Sequence, residues 1–484
     1  MSHISPSAAL GLLLAFALFM ISVVWILDRR RQGNQTMEHF LVAKREVKWM
    51  HGALSIAVSW VWAPAIFIAS LQAYTKGIAG AFWFVVPNII CFFLFAPLAL
   101  RLRKLVPNGY TMPEFIIKRF KGHTGAHIAF LIIFFGYQIG ALLINALAGG
   151  TLLSLLTGID VNIAILAMAI TALAYSFISG MEASVLTDVI QMLMIIILGF
   201  ILVPLVISIA GGFDAVIGGL GGVSGEFGSI FHPGIAWAFG IPVTISLLSG
   251  PIGDQMFFQR GFAVREKHII RTFVIGGLIF ALVPMTLCLL GFVAANPAFA
   301  IEVSDPQMVG PIVIAHFLPS WAIILFIFMA FAGLSSTIDS AYVALSSLGA
   351  IDIYKRYINP NPVDKDILRA SRITMIVCAV IGTAIALLKP QLMWVFLIYG
   401  ALASAGLFPT ILSLTWNRLN AKGAMFAVAI SLLVGTPLSI YANVKGDENL
   451  IVYAAISSVL ISLVVSIVAG LMNRGARFDF AELS

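Results

Sequence analysis

Residues 53–70 read ALSIAVSWVWAPAIFIAS and residues 241–255 read IPVTISLLSGPIGDQ. Each is apolar enough to lie in a membrane crossing. Each is also interrupted, the first by Pro64 and the second by Gly250-Pro251. Proline removes a backbone donor, and its ring clashes with the preceding turn. A helix broken inside hydrocarbon frees carbonyls that lipid cannot satisfy, so such breaks persist where protein, a cavity or a bound cation satisfies them. A pair of broken segments at matching positions in two halves of a chain marks inverted-repeat transporters. Taken singly, each proline also fits an ordinary kink, since proline is common in membrane helices.

The rest of the chain fits that frame. Of 484 residues, 61% are hydrophobic and 10% charged, with mean hydropathy +1.04. A soluble domain carries about 25% charged residues, so a sizeable soluble domain is excluded. Blocks of about 20 apolar residues cross a bilayer. Thirteen such segments are expected, at roughly 8–27, 50–74, 80–104, 125–156, 161–179, 183–210, 235–252, 270–294, 318–349, 371–388, 391–415, 423–442 and 450–472. The fold class is therefore an all-α polytopic membrane protein.

Charge sets the orientation. The net charge is +7, and of 28 Lys and Arg only Lys76, Lys389 and Lys445 lie outside the segments assigned to the cytoplasm. The positive-inside rule then puts the N-terminus outside and the C-terminus inside a plasma membrane, or the inner membrane if the source is bacterial. The first block does not read as a cleaved leader. MSHISPS has no basic start, and the block stops at Asp28-Arg29-Arg30-Arg31. Basic excess is thus a topology signal, with lipid headgroups as a secondary partner. No basic stripe with interleaved aromatics points to nucleic acid. Cys91, Cys288 and Cys378 fall in apolar blocks without CxxC spacing, and the eight histidines show no ligand spacing. The Gly-rich stretch 211–234 reads as a flexible external loop with a short surface helix. GARFDFAELS (475–484) reads as a frayed cytoplasmic tail.

Polar residues inside the apolar blocks carry the chemistry. Gly333, Ser336, Thr337 and Ser340 follow i, i+3, i+4, i+7 and share one helical face. Hydroxyls and carbonyls suit a small hard cation, whereas one or two Ser or Thr could merely bond the i−4 carbonyl. That bland role does not explain Asp339, because a mid-bilayer carboxylate costs about 2.5–3.5 kcal/mol. Asp188, beside Thr187, fits a proton carrier, a cation ligand or half of an ion pair. No Lys or Arg lies in an apolar block at similar depth, which weighs against the ion pair.

Four stretches resemble the sodium:solute symporter family. They are FLVAKREV (40–47), SGMEASVLTDVIQ (179–191), GDQMFFQRGFAVREK (253–267) and LSSTIDSAYVALSSLGAIDIYKR (334–356). The last is the most specific. Segment two and YTMPEFIIKRF (110–120) look nearest to the urea and polyamine branch. The resemblance spans about residues 40–424. It implies a LeuT-type core of two inverted five-helix repeats. It also implies a sodium site of Ser336 and Thr337 hydroxyls with the carbonyls of Gly333, Val58 and Val61. A second cation site of the kind some members have would gather Asp188, Ser336, Asp339 and Ser340.

The organisation expected is 1–49 for the external N-terminus, first helix and basic loop, 50–210 for the first repeat, and 211–234 for the external loop. The second repeat is 235–415, and two peripheral helices with the tail occupy 416–484. The solute should sit between the two breaks with segment four as a wall. Its candidates are Trp60, Trp62 and Gln72, then Tyr137, Gln138 and Asn145, then Ser246 and Ser249. Gln138 and Asn145 are seven residues apart and share a face. The leading function is a sodium-coupled symporter importing a small polar solute by alternating access, with Na+ as its coupling ion. A proton-coupled transporter using Asp188 is the first alternative, and a transporter-fold membrane sensor the second. No metal-ligand set, nucleophile elbow or phosphate loop suggests an enzyme.

Overall fold

The computed structural model describes residues 4–30, 35–473, 475 and 477–483. Arg31 of the basic stop and the first three residues of MSHISPS lie outside the described residues. The helices in chain order are α1 (Pro6–Arg30), α2 (Met37–Val42), α3 (Trp49–Ser59), α4 (Ala69–Leu105), α5 (Met112–Arg119), α6 (Thr124–Thr157), α7 (Val161–Ile209), α8 (Asp214–Ile217) and α9 (Pro233–Ile235). They continue with α10 (Ile241–Gly253), α11 (Gln255–Ala263), α12 (Ile269–Ala295), α13 (Val309–Phe317), α14 (Ser320–Ser347), α15 (Asp364–Ala386), α16 (Leu392–Thr415), α17 (Ala421–Lys445) and α18 (Glu448–Met472). Among the described residues β-structure is limited to one bridge, Val47 with Val264.

Twelve helical stretches among the described residues are long and apolar enough to cross a membrane. One of them, Pro64–Leu105, has 42 residues. As a straight helix it would measure about 60 Å, twice the hydrocarbon thickness of roughly 30 Å. It is the end of one crossing, begun by α3, and the whole of the next, joined at Lys76–Gly77, where both residues leave helical geometry. Three glycines of α12 record the reversal. Gly276 abuts Ala53 and Ile56, Gly277 abuts Phe92, and Gly291 abuts Ser70, Ala73 and Tyr74. The chain therefore runs one way from 53 to 74 and returns to 92. With this stretch counted as two, the thirteen expected segments are all present.

Gly77 has φ +53, and a Cβ there would meet the Leu220 carbonyl at 2.4 Å. Glycine alone permits both the left-handed turn and that approach. The 211–234 loop is pinned to the same turn. Ile78 N donates to Leu220 O at 2.8 Å, and Val223 N donates to Tyr74 O at 2.8 Å. The short helix expected in the loop is α8. Its glycines serve close backbone contact here, so the loop is folded onto the bundle rather than flexible. The second reversal, Gly180 (φ +63), splits the 49-residue α7 into two crossings.

α14 is the centre of the bundle: 78% of its apolar span is buried, against 28% for α1 and α18. The basic loops meet at one end. Arg45 Nη1 donates to Gly109 O at 2.8 Å, Arg103 Nη1 to Phe262 O, and Arg119 Nη2 to Trp416 O and Leu419 O. Burial pulls the Arg119 guanidinium down to about 10, still charged at neutral pH. The C-terminal tail is docked at this end, contrary to the frayed tail expected. Arg119 stacks on Phe478 at 4.1 Å, Lys121 pairs with Glu482 at 2.9 Å, and Phe478 N donates to Asn417 O at 3.0 Å. Two phenylalanines on a cationic platform hold a segment that looks polar in composition.

Candidate functional site

The helix of segment two ends at Ser59 and resumes at Ala63. At its end, Trp60 N bonds Ala57 O and Val61 N bonds Val58 O at 2.9 Å. Beyond it, Ala63 N is taken by the side chain of Asn145, whose Oδ1 accepts at 2.8 Å. Asn145 is held in turn, with Nδ2 donating to Ala141 O at 2.7 Å. A π-helical turn, Pro64–Ile68, then leads into α4. The polar helix α14 packs across this break. Thr337 Oγ1 lies 3.2 Å from Val61 O and 3.3 Å from Gly333 O. The structure thus brings together three oxygens of the expected sodium set. Val58 O sits one turn earlier, with Val61 N already bonded to it. Ser336 points another way and donates to Asp188 Oδ1 at 2.5 Å.

Asp188 corrects the sequence reading. It has a basic partner, with Arg260 Nη2 2.8 Å from its Oδ2 and both side chains buried. Ser55 joins the pair, donating to Asp188 Oδ2 at 2.6 Å while accepting from Arg260 Nε at 2.8 Å. Arg260 Nη2 also donates to Ser340 Oγ at 2.6 Å. The reason is topological. α10 ends at Asp254, and α11 folds back into the bundle carrying Arg260. In one dimension that stretch resembles a basic cytoplasmic loop. Two members of the expected second cation set, Asp188 and Ser340, are therefore bonded to a guanidinium. Asp339 stands beside Ser176 and Ser184, and its Oδ2 has no hydrogen-bond partner among the described residues.

The break of segment seven also differs from expectation. α10 runs through Gly250-Pro251 and stops at Asp254, whose backbone is extended (φ −103, ψ 108). Asp254 caps α11, accepting from Met256 N at 2.7 Å.

Between the broken helix and α10 lies a cavity lined by Trp60, Trp62, Asn88, Tyr137, Ser246 and Tyr399 among others. It is small, about 30 Å³ for the centres of water-sized molecules, on the order of two such positions. Trp62 packs on Tyr137 with ring centroids 5.3 Å apart, and Trp60 on Trp62 at 5.7 Å. Both indole N–H groups are already bonded, Trp60 Nε1 to Asn88 Oδ1 and Trp62 Nε1 to Ser59 O, each at 2.9 Å. The tryptophans therefore offer ring surface, and the lining hydroxyls are those of Tyr137, Ser246 and Tyr399. Among the described residues, no charged side chain lines the space.

Of the residues expected at the solute, Trp60, Trp62, Tyr137 and Ser246 line the cavity. Four do not. Gln72 accepts from Lys76 Nζ at 2.9 Å, Gln138 donates to Asp254 Oδ1 at 2.7 Å, Asn145 holds the break, and Ser249 accepts from Ser404 Oγ at 3.2 Å. Sequence reasoning missed Asn88, Phe396 and Tyr399. Asn88 had a signal, an amide isolated in an apolar block. The α16 residues had a weaker one, a tyrosine beside Gly400, where an added Cβ would meet Ser246 Oγ at 2.2 Å.

Similarity to known proteins accords with this geometry. The model of the sodium:solute symporter family matches residues 40–431. The rice urea-proton symporter DUR3 is 25% identical over 96% of this chain and 69% of its own length. The sodium/glucose cotransporter of Vibrio parahaemolyticus is 27% identical over 89% of this chain and 86% of its own. This chain thus spans about two thirds of the length of the rice relative. Among solved structures, a Na+-coupled sialic acid symporter in a substrate-bound outward-open state superimposes with TM-score 0.79 at 18% identity, covering 97% of this chain and 98% of that one. Mhp1, a nucleobase-cation-symport transporter, follows with TM-score 0.55 at 14% identity, over 92% and 96%. These structures show a LeuT-type fold. The family match covers well over half of the sequence, and this chain belongs to the sodium:solute symporter family.

Proposed function

We propose that this chain is a cation-coupled symporter that imports a small neutral polar solute of the urea and simple amide class, with sodium held by the Thr337 hydroxyl and the carbonyls of Val61 and Gly333. The observation that carries the reading is the Thr337 hydroxyl at 3.2 Å from the Val61 carbonyl, on an unwound backbone where a cation has oxygens to replace its water. The cavity supports the solute class. It is tiny, aromatic and uncharged, so it suits a few non-hydrogen atoms held by ring faces, hydroxyls and one amide. The urea transporters among the relatives support the same class.

Residues 50–210 and 235–415 act as the two inverted repeats that rock about this site. The N-terminus is external and the C-terminus cytoplasmic. A guanidinium at Asp188 favours one sodium per cycle over two, and it speaks against Asp188 as a proton carrier. The test is uptake of radiolabelled urea, acetamide, choline and glucose into proteoliposomes under a sodium gradient. Lithium and potassium gradients serve as controls. Sodium-driven accumulation of urea or acetamide is the expected result. Accumulation of glucose or choline alone would overturn the solute class, and equal rates in potassium would overturn sodium coupling.

A further inference from the structure

One step behind the cavity wall, past Tyr137 and Gln138, lies a carboxyl that the sodium site does not use. Asp254, at the junction of α10 and α11, is fully buried, and so is Gln138 of α6. Asp254 Oδ1 accepts two bonds, from Gln138 Nε2 and from Met256 N, each at 2.7 Å. Two acceptors remain unpaired among the described residues: Asp254 Oδ2 and Gln138 Oε1, both buried without a hydrogen-bond partner. Buried polar atoms are normally satisfied, and an orphan costs about 1–3 kcal/mol. Two orphan acceptors on side chains that already touch have a simple remedy, one hydrogen between them. A carboxylic acid supplies it and a carboxylate does not.

From these contacts we infer that Asp254 is a proton-binding site, in which a proton on Oδ2 donates to Gln138 Oε1 and is carried with the solute. The step balances simply. Hydronium gives up one proton, an O–H bond forms at Oδ2, water is released, and the side chain passes from charge −1 to neutral. The reverse occurs on the other side of the membrane.

The surroundings fit a group that alternates between these states. The charged or titratable neighbours of Asp254 are Arg260 of α11 and Tyr137 of α6. Arg260 spends its hydrogen bonds on Asp188, Ser55, Ser340 and Met256 O, so it does not neutralise Asp254 directly. Ala403 of α16 and Ile133 of α6, which pack against Gly253, do not titrate. The site is also placed to sense solute. Tyr137, next to Gln138, lines the cavity, and its hydroxyl lies 2.8 Å from where a Cβ on Gly250 of α10 would stand. A solute that moves Tyr137 or α10 changes the fit between Gln138 and Asp254. Coupling ion and solute then meet at opposite ends of one short helix segment.

The proposal rests on the symporter reading, and the experiment separates the two. Proteoliposomes with equal sodium inside and out are loaded with a pH-sensitive dye, and urea is the probe. Urea counterflow at zero gradient tests the symporter reading. Acidification of the lumen on urea entry tests the proton. The expected result is acidification of about one proton per urea, with uptake rising as the external pH is lowered, by up to about tenfold per pH unit for a single protonation. Asp254→Asn, neutral at every pH, should abolish urea-linked acidification and flatten the pH profile. Gln138→Glu places two carboxyls on one proton, so its profile should shift to higher pH. Infrared difference spectra supply a readout free of transport: the protonated-carboxyl C=O band should be present in the wild type and absent in Asp254→Asn. Counterflow without acidification, or an unchanged carboxyl band in Asp254→Asn, overturns the proton site alone. Absence of counterflow overturns the symporter reading and the proton site with it.

Discussion

Arg260 and Asp188, 72 residues apart in sequence, are joined side chain to side chain at 2.8 Å in the interior of the bundle. Ser55 of α3 and Ser340 of α14 complete the cluster, at 2.8 and 2.6 Å from the guanidinium. One ion pair therefore ties together the broken helix, the helix that crosses it, the re-entrant α11 and the second half of α7. A buried pair is weak evidence for net stability, because desolvation offsets much of the attraction. Its removal by halves is another matter.

Asp188→Ala leaves a guanidinium buried without a counter-charge, and Arg260→Met leaves a carboxylate so. Each single variant should lose about 3–5 kcal/mol of stability. The double variant should lose clearly less than the sum. Thermal unfolding of detergent-purified protein measures all three. A double variant as unstable as the sum of the singles would mean that the two groups do not act as a pair.

Thr337→Ala should weaken sodium roughly tenfold or more, the scale of one lost hydrogen-bond-strength ligand. Ser335→Ala should leave sodium affinity within about twofold. The contrast follows from direction. Thr337 faces Val61 O, whereas Ser335 Oγ bonds Phe331 O at 2.5 Å and accepts from Gln191 Nε2 at 3.1 Å. Sodium dependence of urea uptake reads both. Similar losses at the two positions would reject the assigned face.

What was legible in the sequence followed from local physics. Lipid thickness fixes block length, so the crossings could be counted. Helical periodicity put Gly333 and Thr337 on one face without further information. Arg260 was not legible, because α11 turns back into the bundle, and a re-entrant helix rich in charge reads in one dimension as a loop. Asp254 was hidden for the same reason: the break lies at the cap after Gly253, not at Gly250-Pro251. Gln138 and Asn145 were seen correctly as one face of α6. That face holds Asp254 and Ala63 rather than the cavity itself. The α16 wall needed tertiary structure, since nothing in its local pattern tells which neighbour Tyr399 meets.

Gly180→Ala should be among the most damaging small substitutions. Its φ is +63, and an added Cβ would stand 2.4 Å from Phe40 O. Backbone strain and the clash together place the loss at about 2–4 kcal/mol. Gly199→Ala, where the Cβ would find only Met329 Sδ at 3.7 Å, is the matched control and should be near neutral. Unfolding temperatures compare them. A Gly180→Ala protein as stable as its control would argue against this turn between the halves of α7.

Asn88 and Asn145 separate solute binding from the architecture of the break. Asn88 lines the cavity, holds Trp60 by its indole, and bonds its own helix through Nδ2 to Phe84 O at 2.8 Å. Asn145 lies outside the cavity and supplies the acceptor for Ala63 N, two residues beyond the Val61 carbonyl that faces Thr337. Asn88→Ala should therefore raise the KM for urea, roughly fivefold to tenfold for one lost positioning contact, with sodium affinity little changed. Asn145→Ala orphans a buried backbone N–H at a cost of about 1–3 kcal/mol, and it loosens the Val61 carbonyl proposed as a sodium ligand. Its main effects should be lower stability and weaker sodium activation, with urea KM at saturating sodium close to the parent value. Titrating urea at fixed sodium, and sodium at fixed urea, gives both constants for each variant. If Asn145→Ala instead changes urea KM at saturating sodium as strongly as Asn88→Ala does, the amide acts on the solute directly and the division of labour proposed for these two asparagines fails.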